Sequence, residues 1–292
     1  MSYTLEGEGI HGMIITHKNG VSFLEFKNLA NFPGIRHGIF TRNSGVSSDP
    51  FRSLNISFGV GDDDRNVRRN RQIISKCLNQ EDLVFADQVH GNRIMVFPKD
   101  NNNVMIFDSD GYSGVEPSKM LNRRIGVSQP DSEHKYVGDA LVTNIRKKIL
   151  VIQVADCQSV IMYDPVQQVV ANVHSGWRGS INDIIGLTIK VMKKSFGCFA
   201  RDIVAGIGVS LGPCCAEFVN YEKEIPKKYW KYKDDNDHFD FWSLSCDQLC
   251  QAGVLMDNVN LSRLCTKCDP DRFFSFRGEG VTGRFASIIG LK

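Results

Sequence analysis

The chain has 292 residues, 42% of them apolar, which is enough for a substantial core in one large domain or two smaller ones. Its formal charge of +2 is near neutral, and without a basic stripe a nucleic-acid partner is not implied. No apolar run approaches the roughly eighteen residues of a membrane span, so no membrane partner is expected either. The short basic clusters Arg68–Arg71, Lys147-Lys148 and Lys227–Lys233 read as solvated faces. The first residues, Met1-Ser2-Tyr3-Thr4-Leu5-Glu6, lack the charged and apolar regions of a signal peptide. Nine cysteines is an odd number, so reduced thiols in a cytoplasmic protein are expected rather than a disulfide framework.

Along the chain, Val21 to Phe58 holds short apolar segments broken by Gly, Asn and Ser, a pattern of strands and turns. Asp62-Asp63-Asp64 then offers N-caps to a helix over Arg65–Leu78, whose Val67, Ile74 and Leu78 share a face. Residues 100–136 are polar and without sustained period, and read as a loop insertion. Strands follow at Ala140–Thr143, Ile149–Ala155, Val160–Tyr163 and Val169–Val173. Ser180 is the expected cap of an amphipathic helix through Ile181, Ile184, Ile185, Thr188 and Met192, closed by Gly197. Another strand falls at Ile203–Val209, and Trp242, Cys246, Leu249 and Cys250 mark a helix closed by Gly253. Strands and helices alternate in the middle, after a strand-rich start. The expected fold class is α/β (α+β), a layered domain of mixed sheets flanked by helices, read as one domain over residues 1–292.

Three stretches carry chemistry. His90 follows the apolar run Leu83–Ala86, Cys157 follows Ile149–Ala155, and His174 follows Val169–Val173. Two imidazoles and a thiolate at strand ends suit Zn2+ with a fourth position left open, the catalytic kind of zinc site. A lone His or Cys beside a strand is more often a core residue, and it is the shared setting of the three that lifts them. Asp156 and Asp139 could act as general base or hold an imidazole by its second nitrogen. Arg178, ahead of a helix, and Arg42 are candidates to meet an anion. The deaminase signature needs His-x-Glu and Pro-Cys-x-x-Cys, and Pro213-Cys214-Cys215 lacks its second half. The metalloprotease His-Glu-x-x-His is absent too. Cys265-Thr266-Lys267-Cys268 is a Cys-x-x-Cys without a second pair at ordinary spacing. Free thiols are expected there, with a structural zinc shared with Cys214 and Cys215 as the alternative.

These residues sit within blocks that resemble a family. His37-Gly38-Ile39-Phe40-Thr41-Arg42, Ser53-Leu54-Asn55, Gln88-Val89-His90-Gly91, Gly138-Asp139-Ala140, Ala155-Asp156-Cys157, Val173–Gly179, Leu211–Cys215 and Phe274–Gly283 occur in order. Together they resemble the YfiH/YlmD-like laccase-domain proteins, also called the polyphenol oxidoreductase family. The resemblance implies an α-β-β-α sandwich-like domain and one Zn2+ held by His90, Cys157 and His174. It implies phosphorolysis of adenosine, inosine, guanosine and methylthioadenosine, and deamination of adenosine, with purine nucleosides and phosphate as partners. The catalytic residues expected here are Cys157, Arg42, Asp139 and Arg178, with Arg42, Asn55 and Arg178 meeting substrate. The family has also been read as copper-dependent polyphenol oxidases and as factors that edit peptidoglycan precursors. Copper is the second choice of metal, because a multicopper centre needs roughly ten His and this chain has seven. Two departures stand out: residues 100–136 look longer than usual, and Phe276-Arg277-Gly278-Glu279-Gly280 replaces the more frequent Arg-Arg-Asp-Gly.

Overall fold

A computed structural model of the chain describes residues 12–79, 82–99, 103–109, 111–117 and 136–292. Its strands are β1 (Met13–Lys18), β2 (Val21–Phe26), β3 (Ile35–Phe40), β4 (Asp82–Phe85), β5 (Ile94–Phe97), β6 (Asn103–Asp108) and β7 (Gly111–Pro117). They continue with β8 (Ala140–Thr143), β9 (Lys148–Val154), β10 (Gln158–Asp164), β11 (Val169–Ser175), β12 (Val204–Ile207), β13 (Val259–Leu261) and β14 (Phe285–Leu291). The helices are α1 (Lys27–Ala30), α2 (Asp64–Cys77), α3 (Trp177–Ile181), α4 (Ile184–Phe196), α5 (Tyr221–Glu224), α6 (Phe241–Gln251) and α7 (Phe276–Glu279).

Two mixed sheets form, in the orders β1-β2-β3-β14-β9-β4 and β13-β12-β10-β11-β8-β5-β6-β7. Their central strands are apolar at nearly every position because both faces are covered. In β10, Ile161 and Tyr163 face the first sheet, while Val160 and Met162 face helices. In β9, Leu150 and Ile152 join that same inner core, and Ile149 and Val151 turn outward to Ile74 and Cys77 of α2. The second sheet's outer face packs on Ile184, Ile185, Ile189 and Met192 of α4 and Leu249 of α6. The period of two thus sorts side chains into three apolar layers, giving an α-β-β-α sandwich. Among the described residues, no helix is long and apolar enough to cross a membrane.

Two expectations are corrected. Part of the 100–136 stretch is not a loop but the hairpin β6–β7, added to the edge of the second sheet. A bulge between Ile106 and Phe107 breaks the period, so that Val104 and Phe107 are buried where alternation calls for Ile106. Residues 100–102, 110 and 118–135 of that stretch lie outside the described residues. Ser180 does not cap the long helix. The chain makes the short α3, turns through Asn182 and Asp183, and restarts; Asp183, at φ 54°, caps α4 by accepting from the Gly186 N–H. Ser180 is buried, bonded to the Ser175 hydroxyl and the Gly176 carbonyl. Gly197 closes α4 in the left-handed conformation, as expected.

Candidate metal centre

The register of the sheets brings the singled-out stretches to one end of the sandwich. β9 ends where β14 begins (Val154 opposite Phe285), and β10 begins where β11 ends (Gln158 opposite Ser175). Residues 155–157 therefore carry the chain from one sheet to the other, and Cys157 sits at that crossing. Residues 86–93 make a second crossing, from β4, parallel to β9, to β5, parallel to β8; His90 lies on it. His174 is the penultimate residue of β11. Gln88 fixes the His90 loop by trading two hydrogen bonds with the Gln153 backbone, extending the β4–β9 ladder with a side chain.

The ligand atoms of His90, Cys157 and His174 all lie within 4.8 Å of one another. The two imidazoles stand edge to face, with centroids 4.8 Å apart. His174 is buried, Cys157 half-buried and His90 exposed, so the cluster opens to solvent on the His90 side. Gly176 lies against both His90 and Cys157. A Cβ there would stand 3.2 Å from the Cys157 sulfur and 3.3 Å from His90 Cδ2, so a side chain would crowd the ligands.

Asp139 organises the cluster. Its fully buried carboxylate accepts from His174 Nδ1 at 2.8 Å and from the His90 and Gly91 N–H groups at 2.9 and 2.8 Å. Burial alone would raise its pKa, but these bonds and the His174 charge outweigh it and hold the carboxyl below its ordinary value. Nε2 is then the ring nitrogen a metal would take, displacing the proton it carries toward the Cys157 sulfur. Burial would likewise raise the Cys157 thiol, yet charge and hydrogen bonds from His174 and His90 bring it down to about 6. Against its own burial, His174 is lifted to about 9 by the Cys157 and Asp139 charges. The thiolate is the form that ligates metal, and the cluster favours it. His90 and Asp156 both take positive φ, 59° and 89°. Such backbone costs of order 1–3 kcal/mol and clusters at functional sites.

The other candidates are placed differently. Asp156 holds no imidazole; it accepts from the Thr266 and Ser275 hydroxyls and the Arg277 N–H, tying two later loops to the Cys157 corner. Arg42, expected to meet an anion, lies over the Phe274 ring. Its guanidinium donates to Glu279 and to the carbonyls of Arg52 and Pro270. Asn55, expected at the substrate, is fully buried. Its amide is engaged by Ser57, Asp62 and the Arg284 N–H. Arg178 is exposed and stacks on Trp177, 4.4 Å from the ring centroid. Sequence reasoning passes over Arg284, although it ends the Thr282-Gly283-Arg284 block. Burial pulls its guanidinium down, against the charges of Cys157 and Asp156 beside it, which places a cation next to the cluster.

A layered α/β sandwich with a two-histidine, one-cysteine ligand cluster at its strand ends defines the class. Residues 36–292 match the family model for multi-copper polyphenol oxidoreductase laccase, and the chain belongs to that family. It is 30% identical over 278 residues to a purine nucleoside phosphorylase of Bacteroides thetaiotaomicron, covering 91% of this chain and 95% of that one. It is 29% identical over 266 residues to the purine nucleoside phosphorylase YlmD of Bacillus subtilis, covering 87% and 88%. The crystal structure of the hypothetical protein YfiH of Bacillus licheniformis superposes with a TM-score of 0.76 at 27% identity, covering 92% of this chain and 96% of that one.

Proposed function

We propose that this chain is a zinc-dependent purine nucleoside enzyme of the cytoplasm. It would cleave adenosine, inosine, guanosine and methylthioadenosine with phosphate, and deaminate adenosine as a second activity. The observation that carries the reading is the convergence of His90, Cys157 and His174 at a solvent-facing cluster, in a chain whose relatives are named purine nucleoside phosphorylases. Two imidazoles and a favoured thiolate fit Zn2+. A bound zinc ion would supply a Lewis acid on the open, His90 side.

The chain's own residues account for the rest. In phosphorolysis a phosphate oxygen bonds to C1′, the bond from C1′ to the base nitrogen breaks, and the base leaves with that electron pair and takes up a proton. Arg178 and Arg284 are the cations assigned to hold the phosphate, since Arg42 is ion-paired with Glu279, whereas Arg284 donates by Nη1 to the Thr282 and Gly283 carbonyls. Arg42 acts one step behind, keeping the Phe274–Glu279 segment against the Cys157 corner. Asp139 sets the His174 ring by its Nδ1 hydrogen bond. Exposed Phe276 offers a flat apolar face to a purine beside Ser275, which is bonded to Asp156.

A multicopper centre, as the family's name has it, needs roughly ten His, and the chain has seven. Among the described residues, one group of potential metal ligands contains histidine, and it supplies three donors. The decisive experiment is product analysis of adenosine with the zinc-loaded protein, with and without phosphate. Adenine and ribose 1-phosphate, formed only with phosphate, are the expected products, with inosine marking the second activity. Replacing His90, Cys157 or His174 by Ala should remove both zinc and turnover. No nucleoside conversion by zinc-loaded protein, or full turnover in the triple variant, would overturn the reading.

A further inference from the structure

Cys214, Cys215, Cys265 and Cys268 form a second cluster, with all four sulfurs within 4.8 Å of one another. The chain brings them together from two loops. Residues 210–216 and 264–268 run side by side, joined by a bridge between Ser210 and Cys265 and by the Thr266 N–H to the Ser210 carbonyl. The Cys268 sulfur lies 3.6 Å from that of Cys214 and 3.5 Å from that of Cys215. The Gly212 N–H donates to the Cys265 sulfur at 3.3 Å. Gly212 has no room for a side chain, because a Cβ would meet the Trp242 ring at 2.8 Å, so that amide is fixed in place.

From this geometry we propose that the four cysteines are a tetrathiolate site for one structural Zn2+, separate from the His90, Cys157 and His174 cluster. A tetrahedron with metal–sulfur bonds of about 2.3 Å has edges of about 3.8 Å, which the observed separations approach. The spacing suits a single ion better than a multi-iron cluster, whose cysteines stand further apart around a larger core. A disulfide would account for two of the sulfurs and leave the convergence of the other two without a cause. Donation of a backbone N–H to sulfur stabilises a thiolate. Four protein ligands close the coordination sphere, as structural sites do. Sequence spacing favours free thiols over a shared zinc, because one pair is adjacent, Cys214-Cys215, and the other is a Cys-x-x-Cys some fifty residues on.

The position gives the ion a task. Thr266, inside the Cys-x-x-Cys, donates to Asp156 at 2.6 Å, and the Leu211 N–H donates to the Asp156 carbonyl at 2.8 Å. Both loops that carry the thiolates therefore grip the residue preceding Cys157. A zinc ion clamping them would hold that corner in its positive-φ conformation. The inference is independent of the purine reading, since it concerns what this cluster binds and not what the other site converts.

The test loads the reduced, metal-free full chain with Zn2+ and measures stoichiometry by mass spectrometry of the metal. Two zinc ions per chain are expected in the wild type, with one retained in His174→Ala and one retained in Cys214→Ser/Cys268→Ser. Loading with Co2+ should give strong sulfur-to-metal charge-transfer absorption that persists in His174→Ala and drops steeply in the cysteine variant. If the cysteine variant does not fold, X-ray absorption of zinc-loaded His174→Ala decides. A shell of four sulfurs around its zinc supports the site. A wild-type stoichiometry of one that falls to zero in His174→Ala, a shell containing imidazole nitrogen, or a Cys214–Cys268 or Cys215–Cys268 disulfide in the freshly isolated protein overturns it.

Discussion

Asp139 is the residue on which the geometry of the histidine–cysteine cluster turns. It accepts from two backbone amides of the His90 loop and from His174 Nδ1, so one carboxylate sets the position of two ligands. An amide of the same shape cannot accept three such bonds without turning its own N–H2 toward a donor. Asp139→Asn should therefore lower zinc affinity and kcat together by about 10–100-fold. Competition with a chelator checks the first, and an unchanged zinc affinity would show that Asp139 is no positioning residue. At this scale the sequence is informative about which His and Cys converge and poor about their neighbours. His90, Cys157 and His174 can be picked out because each lies just beyond an apolar run. Arg42 and Asn55 are not, because a sequence displays donors without displaying the carbonyls and carboxylates that engage them. Arg284 goes unassigned for the same reason: its proximity to Cys157 exists only once β9 and β14 are paired.

Among the elements, helix α4 shows how far local patterning reaches. Its apolar face and its closing glycine can be read directly, because period and a left-handed C-terminal turn are local signals. Its start cannot, since the break between α3 and α4 is set by burial of Ser180, which the sequence does not display. In the structure Ser180 is buried against Ser175, and Asp183 leans over the first turn. That carboxylate explains Gly186, where a Cβ would come within 2.4 Å of Asp183 Oδ2. Asp183→Ala removes the cap and leaves a β-carbon at φ 54°, so it should cost about 1–2 kcal/mol, whereas Asp183→Asn should lie near the wild type. Urea unfolding of the two variants measures this, and equal losses in both would mean that the cap contributes nothing. The β6–β7 hairpin marks the opposite limit. It is an edge element whose first strand buries Val104 and Phe107, with a bulge between its apolar positions, so neither period nor composition announces it.

On the scale of the whole molecule, the inner layer of the sandwich contains a titratable group whose charge state couples to folding. His37 in β3 is buried, and its Nε2 accepts the Phe26 N–H at 2.9 Å, a bond only the neutral nitrogen can accept. Burial is the largest cause of its depressed pKa, about 4 against an ordinary 6.5, and Lys292 nearby acts in the same direction. Its folded-state value is therefore below its unfolded value, so between the two the unfolded chain binds the extra proton. Stability tied to this residue is complete above about pH 6.5 and is lost as the pH falls toward 4, at about 1.4 kcal/mol per pH unit. Carboxylates and the metal ligands also titrate in acid, so wild-type data alone do not isolate the effect. Their contributions cancel in a comparison with His37→Gln, which keeps an acceptor for the Phe26 N–H and has no proton to gain. The stability of the wild type relative to this variant should fall by about 2–3 kcal/mol between pH 7.5 and 4.5, measured by urea unfolding at both values. A difference that stays constant over that range would mean that His37 is accommodated as the cation, with the two sheets parting enough to hydrate it.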